Sequence, residues 1–464
     1  MRSCKNWRNA ELEDVHLDIS SLISGIGGGG LTVLWFVVAL SIIVAIHEYG
    51  HYIVGRWSGI GADVFSLGFG PVIYSRYDKR GTKWQIAAIP LGGYVKFKGD
   101  ANAASGKDGE AMAEMTEEER RHTMHGAPLW ARAATVLAGP VFNFILSIVI
   151  FTGVMMFNGQ IGNKLVVGEI WDLPDAPYEL QEGDVVTAIA GAEIPSFDDP
   201  QAFDDFASEM PKETVLAYTV ERDGEAIDVS GPFLYPPMVQ SLAPRSAAYN
   251  AGLEVGDVFT AIDGEPIVAF SRLKEAVEGG EGRTLALSVY RAGEIDQYDL
   301  TPRRVDEPQD NGGFVTHWRI GIGGGFAFEP ATEQLPFGAA FMAGVRQTGR
   351  VMEGSVSGLY HMITGAISSC NLSGPVGIAQ TSSAMASQGA QSFIWFIAVL
   401  STAIGLLNLF PIPMLDGGHL VFYAYEAVTG KPPADGVLRI LMTAGLVLVL
   451  SMMVFGLTND LFCP

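Results

Sequence analysis

Two histidines and a glutamate stand close together in the segment His47-Glu48-Tyr49-Gly50-His51. On a helix, residues four positions apart share one face, so both imidazoles can reach the same metal ion. Zinc accepts imidazole ligands, and a catalytic zinc site keeps one coordination position for water. Glu48 would lie beside that water as its general base. The spacing therefore predicts a hydrolytic zinc site with His47 and His51 as ligands, and a polar cluster lining a pore or proton relay is the alternative.

A third ligand is needed, and the stretch Asn408–His419 offers one. Asp416 is an acid at the end of an apolar segment. The predicted membrane topology places it at the same depth as the two histidines and on the same side. We therefore expect Asp416 to be the third ligand, and a helix cap at a Pro/Gly break is its alternative role. His419 competes with it as a ligand, although three residues away it could equally support the site without touching the metal.

These side chains must be positioned by membrane helices. Only 17% of the 464 residues are charged and 48% are hydrophobic, which indicates a membrane protein. Four segments are apolar and long enough to cross a bilayer, which takes about 20 helical residues. The first should be a retained span, because it runs without a cleavage site into the histidine motif. The expected spans are residues 31–56, 132–157, 393–418 and 440–458, with the third broken near its prolines.

Basic residues near the ends of the spans predict the orientation. Arg56 follows the first span, Arg132 precedes the second, and Lys431 and Arg439 lie between the third and the fourth. We therefore expect these two loops in the cytosol, both termini outside, and the long segment between spans two and three in the periplasm. The net charge of −22 argues against a nucleic-acid partner.

The segment between spans two and three contains an internal repeat. Gly183-Asp184 and Gly256-Asp257 each lead into an alternating strand, followed in both copies by a helical stretch, a second strand and a turn. Two copies of one small β-rich module is the economical interpretation. The Gly-Asp turn before the strand resembles PDZ domains, in which a peptide adds as an extra strand to a sheet edge. The predicted fold is a polytopic α-helical membrane protein with four transmembrane helices, a membrane-re-entrant β-hairpin and two periplasmic PDZ-like α+β domains.

The remaining segments are predicted from local patterns. Trp84–Phe97 indicates two short strands around a Pro/Gly turn, and it is apolar enough to dip back toward the membrane as the re-entrant hairpin. Residues 101–119 are small, polar and acidic and should form a mobile surface loop. Leu335–Ile367 should form one or two amphipathic helices on the outer membrane face, with packing against the second module as the alternative. The expected divisions outside the spans are an N-terminal extension at residues 1–30, a cytosolic loop at 57–131, PDZ-like domains at 158–236 and 237–308, and a linker with amphipathic helices at 309–392.

The three cysteines, Cys4, Cys370 and Cys463, are far apart along the chain and odd in number. Such spacing is typical of neither a disulfide framework nor a cysteine-rich metal site. Cysteine usage therefore leaves the redox compartment open.

The paired His-Glu and Asp motifs resemble the site-2 protease family of intramembrane zinc metalloproteases, and most closely its regulator-of-sigma-E protease branch. The resemblance covers nearly everything from residue 31 to residue 457. Besides the two motifs and the tandem PDZ-like insert, it is carried by Gly68–Pro71, Ile89–Lys96, Ala138–Phe144 and Leu372–Ala379.

The resemblance implies a role for each residue of the site. His47, His51 and Asp416 would hold zinc, and Glu48 would activate the water. Asn408 would bind substrate or stabilise the oxyanion, a role that an uncharged amide donor can fill.

The hairpin resembles the re-entrant β-loop of the family, which would hold substrate. A helical substrate hides its peptide bonds, so it must unwind, and a strand edge can hold the unwound stretch in extended form. Gly92, Gly93 and Tyr94 are the substrate-binding residues implied there. Asn143 could assist this step, or it could bridge two helices.

The activity implied by the resemblance is regulated intramembrane proteolysis in the bacterial inner membrane, with the active site near the cytosolic face. Substrates would be single-pass proteins such as anti-sigma factors, already trimmed outside by a site-1 type protease, with signal-peptide remnants as a second class. The PDZ-like pair would screen substrates by size. A non-catalytic membrane scaffold is the competing hypothesis, and the complete set of two histidines, a glutamate and an aspartate favours the enzyme.

Overall fold

The computed structural model describes residues 19–101, 109–174, 177–196, 200–309 and 313–463. The described residues form twelve α-helices and eighteen strands, and most strands lie between the second and third long apolar helices. The helices are α1 (Ile19–Trp57), α2 (Gly109–Glu114), α3 (Glu117–Arg121), α4 (Leu129–Asn158), α5 (Pro200–Glu209), α6 (Ala247–Asn250), α7 (Phe270–Gly279), α8 (Phe337–Ile363), α9 (Pro375–Ser387), α10 (Ala390–Asn408), α11 (Asp416–Thr429) and α12 (Asp435–Phe462). The strands are β1 (Ala62–Tyr77), β2 (Lys83–Phe97), β3 (Gln160–Ile161), β4 (Leu165–Ile170), β5 (Val185–Ile189), β6 (Ala192–Glu193), β7 (Val215–Arg222), β8 (Glu225–Pro232), β9 (Ser241–Leu242), β10 (Val258–Ile262), β11 (Glu265–Pro266), β12 (Leu285–Arg291), β13 (Glu294–Leu300), β14 (Arg303–Pro308), β15 (Phe314–Arg319), β16 (Ile322–Gly323), β17 (Phe328–Pro330) and β18 (Thr332–Glu333).

Four helices of the described part are long and apolar enough to cross a membrane, as predicted. They are α1, α4, α10 and α12. The apolar span within α1 runs over Gly29–Trp57, close to the predicted residues 31–56, while the helix itself begins at Ile19. Residues 1–18 of the expected N-terminal extension lie outside the described residues. The central element is α4, which packs against α1, α8, α10 and α11. Its contact with α1 is close because Gly50 has no side chain: a Cβ atom there would lie 2.6 Å from the carbonyl oxygen of Ala138.

The predicted third span, residues 393–418, is too long at its C-terminal end. The helix α10 ends at Asn408, an irregular loop follows, and α11 begins as a separate helix at Asp416. Asp416 is thus the first residue of the next helix rather than a residue near the end of the apolar one. The expected break is present because the two prolines of the loop cannot donate the backbone hydrogen bonds of a continuing helix, and Met414 takes a positive φ of 87°.

The strands β1 and β2 form one antiparallel sheet in which both strands fold over. Phe65, in the first half of β1, pairs with Val95 on one side and with Trp84 on the other. The two halves of the expected hairpin therefore pair with β1 and not with each other, which corrects the prediction. The fold-over occurs at Gly68 and Gly70, whose positive φ values of 87° and 82° suit glycine.

Two β-rich modules follow α4, and they make matching contacts. In the first, the buried carboxylate of Asp184 accepts two hydrogen bonds of 2.7 Å from Arg222, which lies at the β7–β8 turn. In the second, Asp257 accepts bonds of 2.5 and 2.6 Å from Arg291 at the β12–β13 turn. Both aspartates follow a glycine, so the aligned Gly-Asp turns serve one purpose: each ties the start of a strand to the turn of the neighbouring hairpin.

The interval 309–392 is not a linker followed only by helices. Its first part completes both modules, since β16 pairs with β9 and β17 pairs with β4. Phe328 is fully buried in the core of the first module, and Ile320 is buried in the core of the second. The chain therefore returns through both modules before it enters α8, so neither module ends at the expected residues 236 and 308.

Two further expectations are wrong. The interval 101–119 contains the helix α2 and most of α3, whose first turn is capped by Thr116; residues 102–108 lie outside the described residues. Cys370 and Cys463 form a disulfide although 93 positions separate them. Distance along the chain misled the prediction, because α12 brings its C-terminal end back to the turn before α9.

Candidate metal centre

The two histidines lie on one face of α1, close to its C-terminal end. Their Nε2 atoms are 3.1 Å apart. The N-terminal residue of α11 completes the group, because Asp416 Oδ2 lies 3.2 Å from His47 Nε2 and 3.5 Å from His51 Nε2. Among the described residues, these three form the one group of three or more ligand-type side chains whose donor atoms all lie within 4.8 Å of one another.

The chemistry of this donor set fits one zinc ion. The three side chains are only 12–16% exposed, and within the part of the chain that the structure describes, Asp416 Oδ2 is buried with no hydrogen bond of normal geometry. Buried carboxylate oxygens normally have a partner, so an oxygen that faces two imidazole nitrogens and bonds to neither needs a cation. Two nitrogens and one oxygen from three side chains are the usual protein ligands of a catalytic zinc site.

The helix α4 fixes the orientation of both imidazoles. His51 Nδ1 donates to the backbone carbonyl of Thr135 at 2.9 Å, which leaves Nε2 free for a metal. Asn143 Nδ2 lies 3.3 Å from His47 Nδ1, and among the described residues the buried Oδ1 of the same amide has no hydrogen-bond partner. With Nε2 on a metal, His47 Nδ1 would carry its proton, and the Asn143 amide, turned end for end, would present Oδ1 to accept it. Gly139 leaves the space for both rings: a Cβ atom there would lie 2.5 Å from His51 Cε1.

Glu48 lies between the ligands and the sheet. Its carboxylate lies beside the backbone of Val95 in β2, and it lies close enough to the three ligand side chains to interact with their charges. Gly93 brings the strand against the helix, since a Cβ atom there would be 3.1 Å from Glu48 Cγ. The structure therefore places one carboxylate beside the donor group and beside an extended backbone.

The other candidate residues lie around this centre. Gly92 packs over the Phe69 ring, and the Tyr94 ring stacks on the same ring at 5.9 Å, so both are at the sheet edge that reaches Glu48. Asn408 ends α10, just before the loop that leads to α11. His419 is buried, and burial lowers its pKa, but the structure does not bring it into the group of three.

Sequence reasoning missed the supporting role of α4. Thr135, Gly139 and Asn143 are spaced by four residues, so they lie on one helix face toward the histidines. That spacing, with a glycine in the middle of an apolar helix, was the available signal. It does not by itself reveal which helix the face contacts.

Comparison with known proteins gives a consistent result. The model of peptidase family M50 matches residues 35–452. A protein of Agrobacterium fabrum whose name assigns it as a zinc metalloprotease is 36% identical over 431 residues, which cover 92% of this chain and 94% of that protein. The regulator of sigma-E protease RseP of Escherichia coli is 33% identical over 458 residues, covering 93% of this chain and 99% of that protein.

The family match spans nearly the whole chain and includes every residue of the metal centre, and the expected resemblance is thereby confirmed. The apolar helices make the chain an integral membrane protein. The chain belongs to peptidase family M50, the site-2 protease family, and is a zinc metalloendopeptidase of the type that performs regulated intramembrane proteolysis.

Proposed function

We propose that this peptidase cuts peptide bonds within membrane-spanning segments, at a zinc ion held by His47, His51 and Asp416. The observation that carries the proposal is the position of the donor group. It lies at the end of an apolar helix, beside a glutamate and beside an open strand edge. Ionisable side chains in such a helix are costly unless they serve a function.

Each residue of the site has one chemical task in this proposal. When bound, zinc lowers the pKa of a water molecule and polarises the scissile carbonyl. Glu48 takes the proton from the attacking water and later gives it to the leaving amine. Asn408, at the end of α10, donates its amide N–H to the developing oxyanion. Thr135 and Asn143 keep both imidazoles turned toward the metal.

The free edge of β2 provides the place for the substrate. The half of β2 that contains Val95 pairs with β1 on one side only, and its other side faces α1. An unwound substrate can pair along this edge, which would place a peptide bond next to Glu48. Gly92, Gly93 and Tyr94 would line the extended segment, and the lack of side chains on the two glycines lets the strand approach the helix.

The orientation is proposed from charge and from the disulfide. The cytosolic loops are those next to the basic residues Arg56, Arg132, Lys431 and Arg439, by the excess of basic residues inside. The bond between Cys370 and Cys463 supports this, because disulfides persist in the periplasm and are rare in the cytosol. The two β-rich modules would then be periplasmic, and the metal centre would lie near the cytosolic face of the inner membrane.

The modules are proposed to be a tandem PDZ-like pair that screens substrates. Their matching Asp–Arg contacts and helices support one repeated fold. The helix α8 would lie on the outer lipid surface, because it buries Ala340, Gly344 and Thr348 toward the bundle and exposes Phe337 and Phe341. Substrates would be anti-sigma factors already cut outside by a site-1 type protease, and signal-peptide remnants.

Zinc content and cleavage test the proposal together. The detergent-purified native chain should hold one zinc, which Asp416→Ala and the double change His47→Ala/His51→Ala should each remove. Glu48→Gln should retain zinc but lower cleavage of a membrane-segment substrate by about 100-fold or more. Glu117→Gln, at an exposed site in α3, is the matched control and should cleave normally. A native chain without zinc, or a fully active Glu48→Gln variant, would exclude the assigned site.

A further inference from the structure

The helix that carries Asp416 is separated from its neighbours in the chain by irregular connections at both ends. Before it lies an irregular loop with Met414 at a positive φ of 87°. After it lies Gly430, whose φ of 74° ends the helix in a left-handed turn. The first turn of α11 lies close against the preceding loop, where a Cβ atom at Gly417 or Gly418 would meet loop carbonyl oxygens. Neither connection continues a helix, so the rest of α11 depends for its rotation on its packing against α4.

A part-buried ion pair joins α11 to α4. Arg132 Nη2 lies 2.6 Å from Glu426 Oε1 and Nη1 lies 3.1 Å from Oε2, so the pair is bidentate. The two side chains are only 14% and 18% exposed. The guanidinium also lies 5.2 Å from the ring centroid of Tyr423, one turn earlier on the same face of α11. A bidentate pair with a stacked ring fixes orientation as well as distance.

The same face of α4 contacts the helix that carries the other two ligands. Arg132 precedes Thr135 by three residues, and Gly139 and Asn143 follow at intervals of four, so all four lie on one face. Thr135 and Asn143 contact the imidazoles, and Arg132 contacts α11. Both ligand-bearing helices are therefore aligned against one surface.

We propose that Arg132 and Glu426 are positioning residues that hold α11 in the rotation at which the Asp416 carboxylate meets both histidines. The inference rests on the proposed ligand set. A side-chain atom lies about 6 Å from a helix axis, so a rotation of about 10° would move the carboxylate oxygen by about 1 Å. Metal–ligand distances tolerate only about 0.2 Å, so a small rotation is enough to weaken zinc binding.

The test is zinc affinity of the full detergent-purified chain, measured by competition with a chelator. Arg132→Met and Glu426→Gln should each weaken zinc binding about tenfold. The double variant should lose no more than either single one, because both remove the same pair. The charge swap Arg132→Glu/Glu426→Arg should recover part of the affinity. Arg222→Met, which removes an equally bidentate pair in the first β-rich module, is the matched control and should bind zinc normally.

Each other outcome has a defined meaning. Native zinc affinity in both single variants, or an equal loss in Arg222→Met, would overturn the positioning role. Arg132→Lys covers the case in which the methionine variant does not fold: it keeps the charge without the planar fork and should weaken binding about threefold, and native affinity there would also overturn the role. A native chain without zinc, or zinc retained after His47→Ala, would instead refute the ligand assignment on which the inference rests.

Discussion

Gly139→Ala should remove zinc without disturbing the helix that contains it. A Cβ atom at Gly139 would lie 2.5 Å from His51 Cε1 and 2.8 Å from His47 Cε1, both well inside van der Waals contact. The added methyl group therefore meets both rings at once, on the side where α4 supports them. The rest of α4 is unaffected, because alanine is a better helix former than glycine by about 1 kcal/mol.

The magnitude follows from the distances. Ordinary carbon–carbon contact begins near 3.5 Å, so the His51 ring would have to retreat by about 1 Å. That is several times the tolerance of about 0.2 Å in metal–ligand distances. It would also lengthen the bond from His51 Nδ1 to the Thr135 carbonyl, now 2.9 Å. We expect zinc affinity to fall by about 100-fold or more, which corresponds to about 3 kcal/mol of binding free energy.

The assay compares Gly139→Ala with Gly153→Ala, a control in the same helix with open space around it. Chelator competition should show the loss of zinc affinity in the first variant alone, while circular dichroism shows equal helix content in both. Cleavage of a membrane-segment substrate should fall in parallel with zinc occupancy. Native zinc affinity in Gly139→Ala would refute the packing argument, because it would show that the positions of the two imidazole rings do not depend on the space left by this glycine.

Three further predictions concern other parts of the chain. Gly93→Ala should lower cleavage about tenfold at unchanged zinc content, because its Cβ would lie 2.9 Å from the Ser66 carbonyl and 3.1 Å from Glu48 Cγ and push the strand away; cleavage kinetics and zinc analysis together test this. The hydrogen bonds from Arg222 lower the pKa of Asp184, so this pair stabilises the first module above the unfolded pKa of about 3.9 and no longer does so once pH falls through the folded pKa. Thermal melts between pH 7 and pH 2 should show this loss of stability. Arg222→Met should make the stability less dependent on pH and should lower the free energy of unfolding by about 3 kcal/mol near neutral pH. Cys463→Ser should abolish the shift in gel mobility between reduced and oxidised protein, and an unchanged shift would show that another pairing exists.

The chemical part of the site was predictable from the sequence because it is local. The positions of His47, Glu48 and His51 on one helix follow from spacing alone, and the placement of Asp416 nearby follows from counting spans. The helix break before Asp416 was also predictable, since prolines act on the backbone where they stand. The exact residue at which α11 starts was not predictable, because it depends on how the turn between α10 and α11 packs.

The parts that could not be predicted depend on contacts between distant segments. The strand β17 contains only Phe328–Pro330, too short for an alternating pattern, and only its pairing with β4 identifies it. Both halves of β2 looked like a self-contained hairpin, because a sequence pattern does not show that a third segment will lie between them. The role of Gly139 is likewise invisible until the neighbouring helix is known.

The bond between Cys370 and Cys463 has a consequence for the biogenesis of the protein. Cys463 follows the last described membrane helix, so the bond can close only after that helix has been synthesised and inserted. Around it, Asn459 donates 2.7 Å and 3.3 Å hydrogen bonds to the carbonyls of Ser369 and Leu372, and these contacts also require both segments on the same side of the bilayer. The oxidised fraction of newly made chains is therefore a measure of completed membrane assembly, readable on a non-reducing gel before any proteolysis occurs.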